Sequence, residues 1–167
     1  MLFETERLII TKFDLSMAED VYKNSLDEDN RKFVPDEVFE TVEEAEKTIE
    51  LLMRACETED GPFVYPVLLK DETNIGYVQL VPIDEGYEIG YHIAKEYTNK
   101  GYATEAVKAF LDYAVKLKNL EKVYGICLSE NYASKRVMEK CSFIKEFEGI
   151  GDYQGKKQNI AKYIYKV

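Results

Sequence analysis

The chain has 167 residues, 46% of them apolar, enough for one sizeable core and too few for two, so a single domain over residues 1–167 is expected. No run of eighteen apolar residues occurs, and the start carries Glu4, Glu6 and Arg7 with an apolar run of only three residues before Thr11, so neither a membrane span nor a signal peptide is expected. The formal charge is −10, with 18 acidic and 7 basic side chains in residues 1–60 against 14 and 15 in residues 61–167, which argues against nucleic acid as a partner because that needs a cationic surface.

Residues 7–13, with Leu8, Ile9, Ile10 and Thr11, read as a first strand. Residues 14–26 place Leu15, Ala18, Val21, Tyr22 and Leu26 near a helical period, with Asp14 or Ser16 as N-cap. After Pro35, Thr41 caps a second helix and Glu44 completes a capping box; Ala45, Ile49, Leu52 and Met53 form its apolar stripe. Residues 63–69, 73–81 and 87–93 are β-rich runs joined by the short turns "KDETN" and "PIDEG", an antiparallel meander. From Gly101 the period changes, and Ala103, Ala106, Val107, Phe110, Ala114 and Leu117 recur at helical steps. Residues 123–128 form a strand, "NYASKRVMEKC" a short helix, residues 143–150 a strand, and residues 159–167 a last strand after the polar turn "GDYQGKK". The order β-α-α-β-β-β-α-β-α-β-β predicts an α/β (mixed α+β) fold, a central mixed seven-stranded twisted sheet flanked by four helices.

The segment "EIGYHIAKEYTNKGYATEAVKAF", residues 88–110, carries the candidate chemistry. A helix begins with backbone N–H groups that have no partner inside the helix. Here Gly101 permits close approach, and the amides of Tyr102, Ala103 and Thr104 could face one oxygen-rich group such as a pyrophosphate, favoured by the helix dipole, with Lys100 a nearby cation and Asn99 suited to a left-handed turn. Neither GxxxxGK[ST] nor a Rossmann GxGxxG is present, and an ordinary strand-to-helix connection is the competing reading. Alternation along the preceding strand puts Glu88, Gly90 and His92 on one face and Ile89, Tyr91 and Ile93 on the other. Glu88 or His92 could accept a proton from an amine; each could equally be a paired or half-buried structural residue. Cys56, Cys127 and Cys141, odd in number and without CxxC pairing, read as free thiols of a reducing cytoplasm, and with one histidine they make no metal cluster.

Residues 88–110 and 131–143 together resemble the GCN5-related N-acetyltransferases, the GNAT family, and within it the ribosomal-protein-alanine acetyltransferase-like branch. Thr98, Gly101 and Ala103 match the spacing of the family's [QR]xxGx[GA] loop, with Thr98 departing at the first position. "GYHI", "GYATEA" and "NYASKRVMEKCSF" are similar to the branch's patterns, with Ser142 standing where glycine is usual. The resemblance implies acetyl-CoA as cosubstrate and no metal. It implies that the strand through Ile93, Ala94 and Lys95 splays from its parallel neighbour to bind the pantetheine arm, that the amides of Lys100, Gly101, Tyr102, Ala103 and Thr104 bind the pyrophosphate, that Asn131 binds the pantetheine or acetyl end through its amide with Ser134 lining the same cleft, and that Lys135 or Arg136 meets the adenosine phosphate.

The implied reaction is direct attack of a neutral amine on the thioester, with Glu88 as first and His92 as second choice of base. Many relatives use a tyrosine seven residues after the asparagine as acid; Met138 stands there and a thioether cannot donate a proton, which leaves Ser134 acting through water or no dedicated acid. The expected acceptor is a protein N-terminus or a small amine. If the acidic first third borders the cleft it favours a cationic acceptor; otherwise it is a solubilising surface. A non-catalytic CoA-binding module is the alternative. The resemblance leaves room for a homodimer, for which the sequence shows no interface.

Overall fold

In the computed structural model, which describes residues 2–167, strand β3 (Phe63–Leu69) sorts the molecule into two layers. Phe63, Tyr65 and Val67 belong to one buried apolar cluster and Val64 to another, as period-two alternation requires of a strand covered on both faces. On the Val64 side pack α1 (Ala18–Ser25) and α3 (Val42–Ala55), through Ala18, Ala45 and Ile49. On the other side α4 (Tyr102–Lys118) and α5 (Tyr132–Lys140) bury Ala106, Val107, Phe110, Ala114 and Met138 against Leu8, Ile10, Val78 and Ile89.

The sheet has eight strands in the order β1-β2-β3-β4-β5-β6-β8-β7. The others are β1 (Phe3–Glu4), β2 (Leu8–Ile10), β4 (Asn74–Ile83), β5 (Gly86–Ile93), β6 (Lys122–Leu128), β7 (Ile144–Tyr153) and β8 (Lys156–Lys166). Every neighbouring pair is antiparallel except β5 and β6. A parallel pair cannot be closed by a tight turn, so α4 makes the crossover between them. The mixed sheet between helical layers is the expected fold class, with two additions. One is the two-residue edge strand β1; the other is the six-residue helix α2 (Glu28–Phe33), whose cap is Asp27 accepting from the Asn30 N–H.

Several boundaries differ for physical reasons. The first strand, expected over residues 7–13, stops at Ile10 because the next partner is Pro66: Thr11 N–H donates to the Pro66 carbonyl at 3.4 Å, and a proline has no N–H to return. Thr41 caps α3 through the Glu44 N–H at 3.2 Å, but the Glu44 carboxylate reaches back to the N–H of Glu40 instead of Thr41. Met53 and Leu117 lie outside the buried stripes, exposed at the ends of their helices. The polar run "GDYQGKK" is mostly strand, since β7 and β8 pair out to Tyr153 and Lys156 around a two-residue turn of Gln154 and Gly155, both with positive φ. Among the described residues no helix is long and apolar enough to cross a membrane.

Gly76 sits where β4 meets the end of β5, opposite Ile93, with φ +155°. A Cβ there would overlap the His92 carbonyl oxygen, which is backbone and cannot swing away. Gly76→Ala is therefore expected to lower the unfolding free energy by about 3 kcal/mol. Urea titration measures it, and a value within about 0.5 kcal/mol of the parent protein would contradict this packing.

Candidate active site

The site is built on a fork in the sheet. Along one edge β5 pairs with β4 from Gly86 to Ile93, but along the other its only register pair with β6 is Glu88 with Tyr124. Beyond that point the two parallel strands diverge, and the peptide groups of β5 from Ile89 to Ile93 have no strand partner on that edge. Backbone donors and acceptors left in this way need another partner. At the apex stands Glu88, the last β5 residue in register with β6 before the strands part.

A cleft of about 400 Å³ opens from the fork. It runs between the N-terminus of α4, the first turns of α5, and α2. Its walls bring together most of the residues singled out from the sequence: His92, Ile93, Lys95, the stretch Gly101 to Thr104, Asn131, Ser134 and Arg136. Ala94 is buried and its N–H is spent on the Ile75 carbonyl. Lys100 lies outside the walls, its ammonium turned to the Glu96 carbonyl at 3.0 Å. Lys135 is likewise outside, paired with Glu148 at 2.5 Å, so of the two adjacent candidates Arg136 is the one on the cleft side.

Gly101 is the N-cap of α4, with φ +81°, and no side chain caps the amides that follow. Asn99 is left-handed at φ +59°, as its place in the turn suggested, and the Thr98 hydroxyl donates to the Lys95 carbonyl at 2.7 Å. These features fit an anionic group: uncapped N–H donors, a residue without a Cβ, and the positive end of a seventeen-residue helix. The cleft lining carries Lys95, Arg136 and Lys140 together with Asp27 and Asp29, the last two contributed by α2 and its cap.

Asn131 caps α5, its side-chain oxygen accepting from the Ser134 N–H at 3.1 Å, so only the amide nitrogen end is left for a ligand. The Ser134 hydroxyl lies 2.9 Å from the Tyr91 hydroxyl, which also donates to the Ser134 carbonyl at 2.9 Å. With the phenol proton committed to the carbonyl, the serine proton points to the phenol oxygen. Met138 is fully buried, its sulfur seated where a Cβ on Gly125 would be. It is a core residue with no path to the cleft. Burial pushes the Cys127 and Cys141 thiols up to about 11, which keeps both protonated near neutrality.

The two candidate bases occupy one face of β5 but differ in setting. Four residues of strand separate their Cα atoms by about 13 Å, so they cannot serve the same nitrogen together. His92 Nε2 is 3.3 Å from the Asn24 carbonyl and 3.4 Å from Asp27 Oδ2. Burial lowers its pKa against the pull of Asp27, so the ring is neutral at pH 7. Glu88 is raised to about 7, first by burial and further by the nearby Glu37, against the pull of the Ile126 backbone N–H. Glu37 is itself raised to about 7 by burial, although Gln79 hydrogen-bonds to it. Glu88 is not among the cleft walls; it lies at the apex of the fork, near enough to Glu37 for the two charges to repel.

Arg7, Asp27, Glu37, Gln79 and Tyr153 were not visible as site residues from the sequence. They come from β2's approach, the loops around α2, the middle of β4 and the β7–β8 hairpin, where no motif marks them. The one available signal was the acidic excess of residues 1–60, of which Asp27, Asp29 and Glu37 form part.

A sheet forked between parallel strands, with an uncapped helix start at its mouth, offers unpaired strand groups to an extended ligand and free N–H donors to an anionic one. The acetyltransferase (GNAT) domain family matches residues 7–144. An uncharacterised N-acetyltransferase, YnaD of Bacillus subtilis (strain 168), is 34% identical over 149 residues, 87% of this chain and 84% of its own length. Spermidine N(1)-acetyltransferase of Escherichia coli (strain K12) is 36% identical over 81 residues, 47% of this chain and 45% of that protein. The crystal structure of a GNAT-family acetyltransferase from Bacillus anthracis superposes with a TM-score of 0.83 at 30% identity, covering 98% of this chain and 96% of that one. The chain belongs to the GNAT acetyltransferase family.

The Glu37 and Glu88 carboxyls have a consequence for stability. A folded pKa of about 7 against an ordinary 4.5 means that the folded state holds these protons more tightly, a contribution fully present below pH 4.5 and lost as the pH rises through 7. Glu37→Gln mimics the protonated form, so it should match the parent at about pH 4 and exceed it by about 1–3 kcal/mol at pH 8. Denaturant titrations at the two pH values measure this; an equal difference at both would contradict the buried carboxyl.

Proposed function

We propose that the chain transfers the acetyl group of acetyl-CoA to a cationic primary amine by direct attack in a ternary complex, with Glu88 taking the amine's proton. The observation that carries this reading is the position of Glu88, at the apex of the fork and with a carboxyl titrating near neutrality. A base is most effective when its pKa lies near the working pH, and a carboxylate at the usual 4.5 would be far weaker.

Acetyl-CoA, when bound, supplies an activated acetyl thioester with a thiolate leaving group. The open edge of β5 through Ile93 and Lys95 offers hydrogen bonds to an amide-bearing arm, and Ala94 keeps the strand end tied to Ile75. The amides that follow Gly101 hold the pyrophosphate, and Arg136 serves the adenosine phosphate from α5. Asn131 and Ser134 orient the acetyl end, with Tyr91 buttressing Ser134. Buried Met138 offers no proton, so catalysis rests on proton removal from the amine and on orientation, which alone supplies a large part of such rate enhancements.

The acceptor is read from the carboxylates in the cleft lining. Asp27 and Asp29 suit an ammonium, and the sequence likeness to spermidine N(1)-acetyltransferases supports a small polyamine-like molecule ahead of a ribosomal-protein N-terminus. Three free cysteines support placing the reaction in the cytoplasm.

Thiol release from acetyl-CoA across a panel of polyamines, simple amines and basic peptides tests the reading. Release that depends on a cationic amine is expected; saturable CoA binding without release for any acceptor would make the protein a binding module instead. The wild-type kcat should rise through an apparent pKa of about 7. Glu88→Gln should lower kcat about 10–100-fold and remove that inflection. If Glu88→Gln keeps the profile and His92→Gln loses it, the base is His92.

A further inference from the structure

The turn that opens α4 is gripped from outside by a residue more than ninety positions away in the chain. Arg7, in the bend between β1 and β2, donates from Nε to Glu105 Oε2 at 2.7 Å and from Nη1 to the Lys100 carbonyl at 2.9 Å, while Nη2 lies 2.6 Å from Glu105 Oε2. Its backbone N–H donates to Glu105 Oε1 at 3.0 Å, and the Thr5 hydroxyl donates to that same oxygen at 2.6 Å. The guanidinium carbon stands 4.5 Å from the centre of the Tyr102 ring. At Gly101, Nη2 is the one neighbour a Cβ would meet, at 3.3 Å. A single planar cation therefore spans Gly101, holding the carbonyl before it, the ring after it and the carboxylate one helical turn on.

This grip has two physical effects. It fixes a turn whose central residue is left-handed and whose amides have no side-chain cap, so the donors are ordered before any ligand arrives. It also neutralises Glu105, the acidic residue of the first turn of α4, whose charge would otherwise oppose an anion at the same helix start. Burial works against ionisation of Glu105, but the hydrogen bonds from Thr5 and Arg7 outweigh it and hold the carboxyl below its ordinary range. A lysine could not reproduce the arrangement, because one ammonium cannot reach the carbonyl and the carboxylate as a fork while stacking on an aromatic face.

We propose that Arg7 is a positioning residue for acetyl-CoA, holding the Lys100 to Thr104 turn and silencing Glu105 so that the first amides of α4 are presented to the pyrophosphate. The inference rests on the reading that the pyrophosphate binds there. The competing view is an ordinary surface ion pair, in which case Arg7 affects folding stability alone.

Calorimetric titration of free CoA and of 3′-dephospho-CoA into wild type, Arg7→Met and Arg7→Lys separates these, with thermal unfolding confirming that each variant is folded. Arg7→Met should bind both ligands about tenfold more weakly, and Arg7→Lys at least about threefold more weakly. In turnover, KM for acetyl-CoA should rise in step while KM for the amine and kcat stay within about twofold. Wild-type affinity in a folded Arg7→Met, or in Arg7→Lys where the methionine variant does not fold, overturns the proposal. So does a loss confined to CoA that carries its 3′-phosphate, which would move Arg7 to the ribose phosphate. If wild type itself takes up no CoA, the failure belongs to the reading of α4 and not to Arg7.

Discussion

The single register pair between β5 and β6 organises the molecule. A parallel ladder that continued past Glu88 and Tyr124 would satisfy the peptide groups of both strands and leave nothing for a ligand to bind. The ladder stops because the two strands are driven apart by what they must do elsewhere. β5 stays in full antiparallel register with β4 to its last residue, and β6 stays in full register with β8. Each strand follows its own antiparallel partner, and sheet twist opens the gap between the two halves. The crossover helix α4 then begins at the mouth of that gap, since it must leave from the end of β5, and α5 begins beside it after the end of β6. Two helix N-termini and an unpaired strand edge converge through topology before any side chain is considered.

Charge of both signs faces the cleft along this frame. Its lining carries Lys95, Arg136 and Lys140, and α2 with its cap adds Asp27 and Asp29. In the proposed reaction the cations suit the phosphate-rich tail of the cosubstrate and the carboxylates suit an acceptor that arrives as an ammonium. The formal charge of −10 is not spread evenly; its excess lies in residues 1–60, which include α2.

The sequence was informative wherever periodicity or a cap recorded the physics locally. The amphipathic spacing of α4, the Thr41 cap of α3, the alternation in β3, β4 and β5, and the left-handed Asn99 all follow from rules that act over a few residues. Ser142 shows the same logic from the other side: its φ of +68° is a conformation that favours glycine, which explains why the related pattern has glycine there. What could not be read was set at long range. The truncation of β2 depends on Pro66 in a neighbouring strand, and α2 has one apolar residue, Phe33, so no periodic signal exists for it. Arg7 reads as an unremarkable charge before a strand until Glu105 and Lys100 are brought against it. Glu37 gains its significance only because Gln79 and Glu88 lie across the sheet from it.

Met138 ties the core to the chemistry. Its sulfur fills the space above Gly125, so the position could not hold a cleft-facing phenol without rebuilding the contact between α5 and β6. The proposed mechanism must then do without a strong acid at the departing sulfur. The Ser134 and Tyr91 hydroxyl protons are engaged within their own pair, and the phenol, its pKa raised by burial, does not surrender its proton. A thiolate is a moderate leaving group, and stabilising it by hydrogen bonding is a smaller task than removing a proton from an ammonium. The demand therefore shifts to the other partner, and the buried carboxyl at the apex of the fork, with Glu37 beside it, is where the fold has placed a group able to meet it.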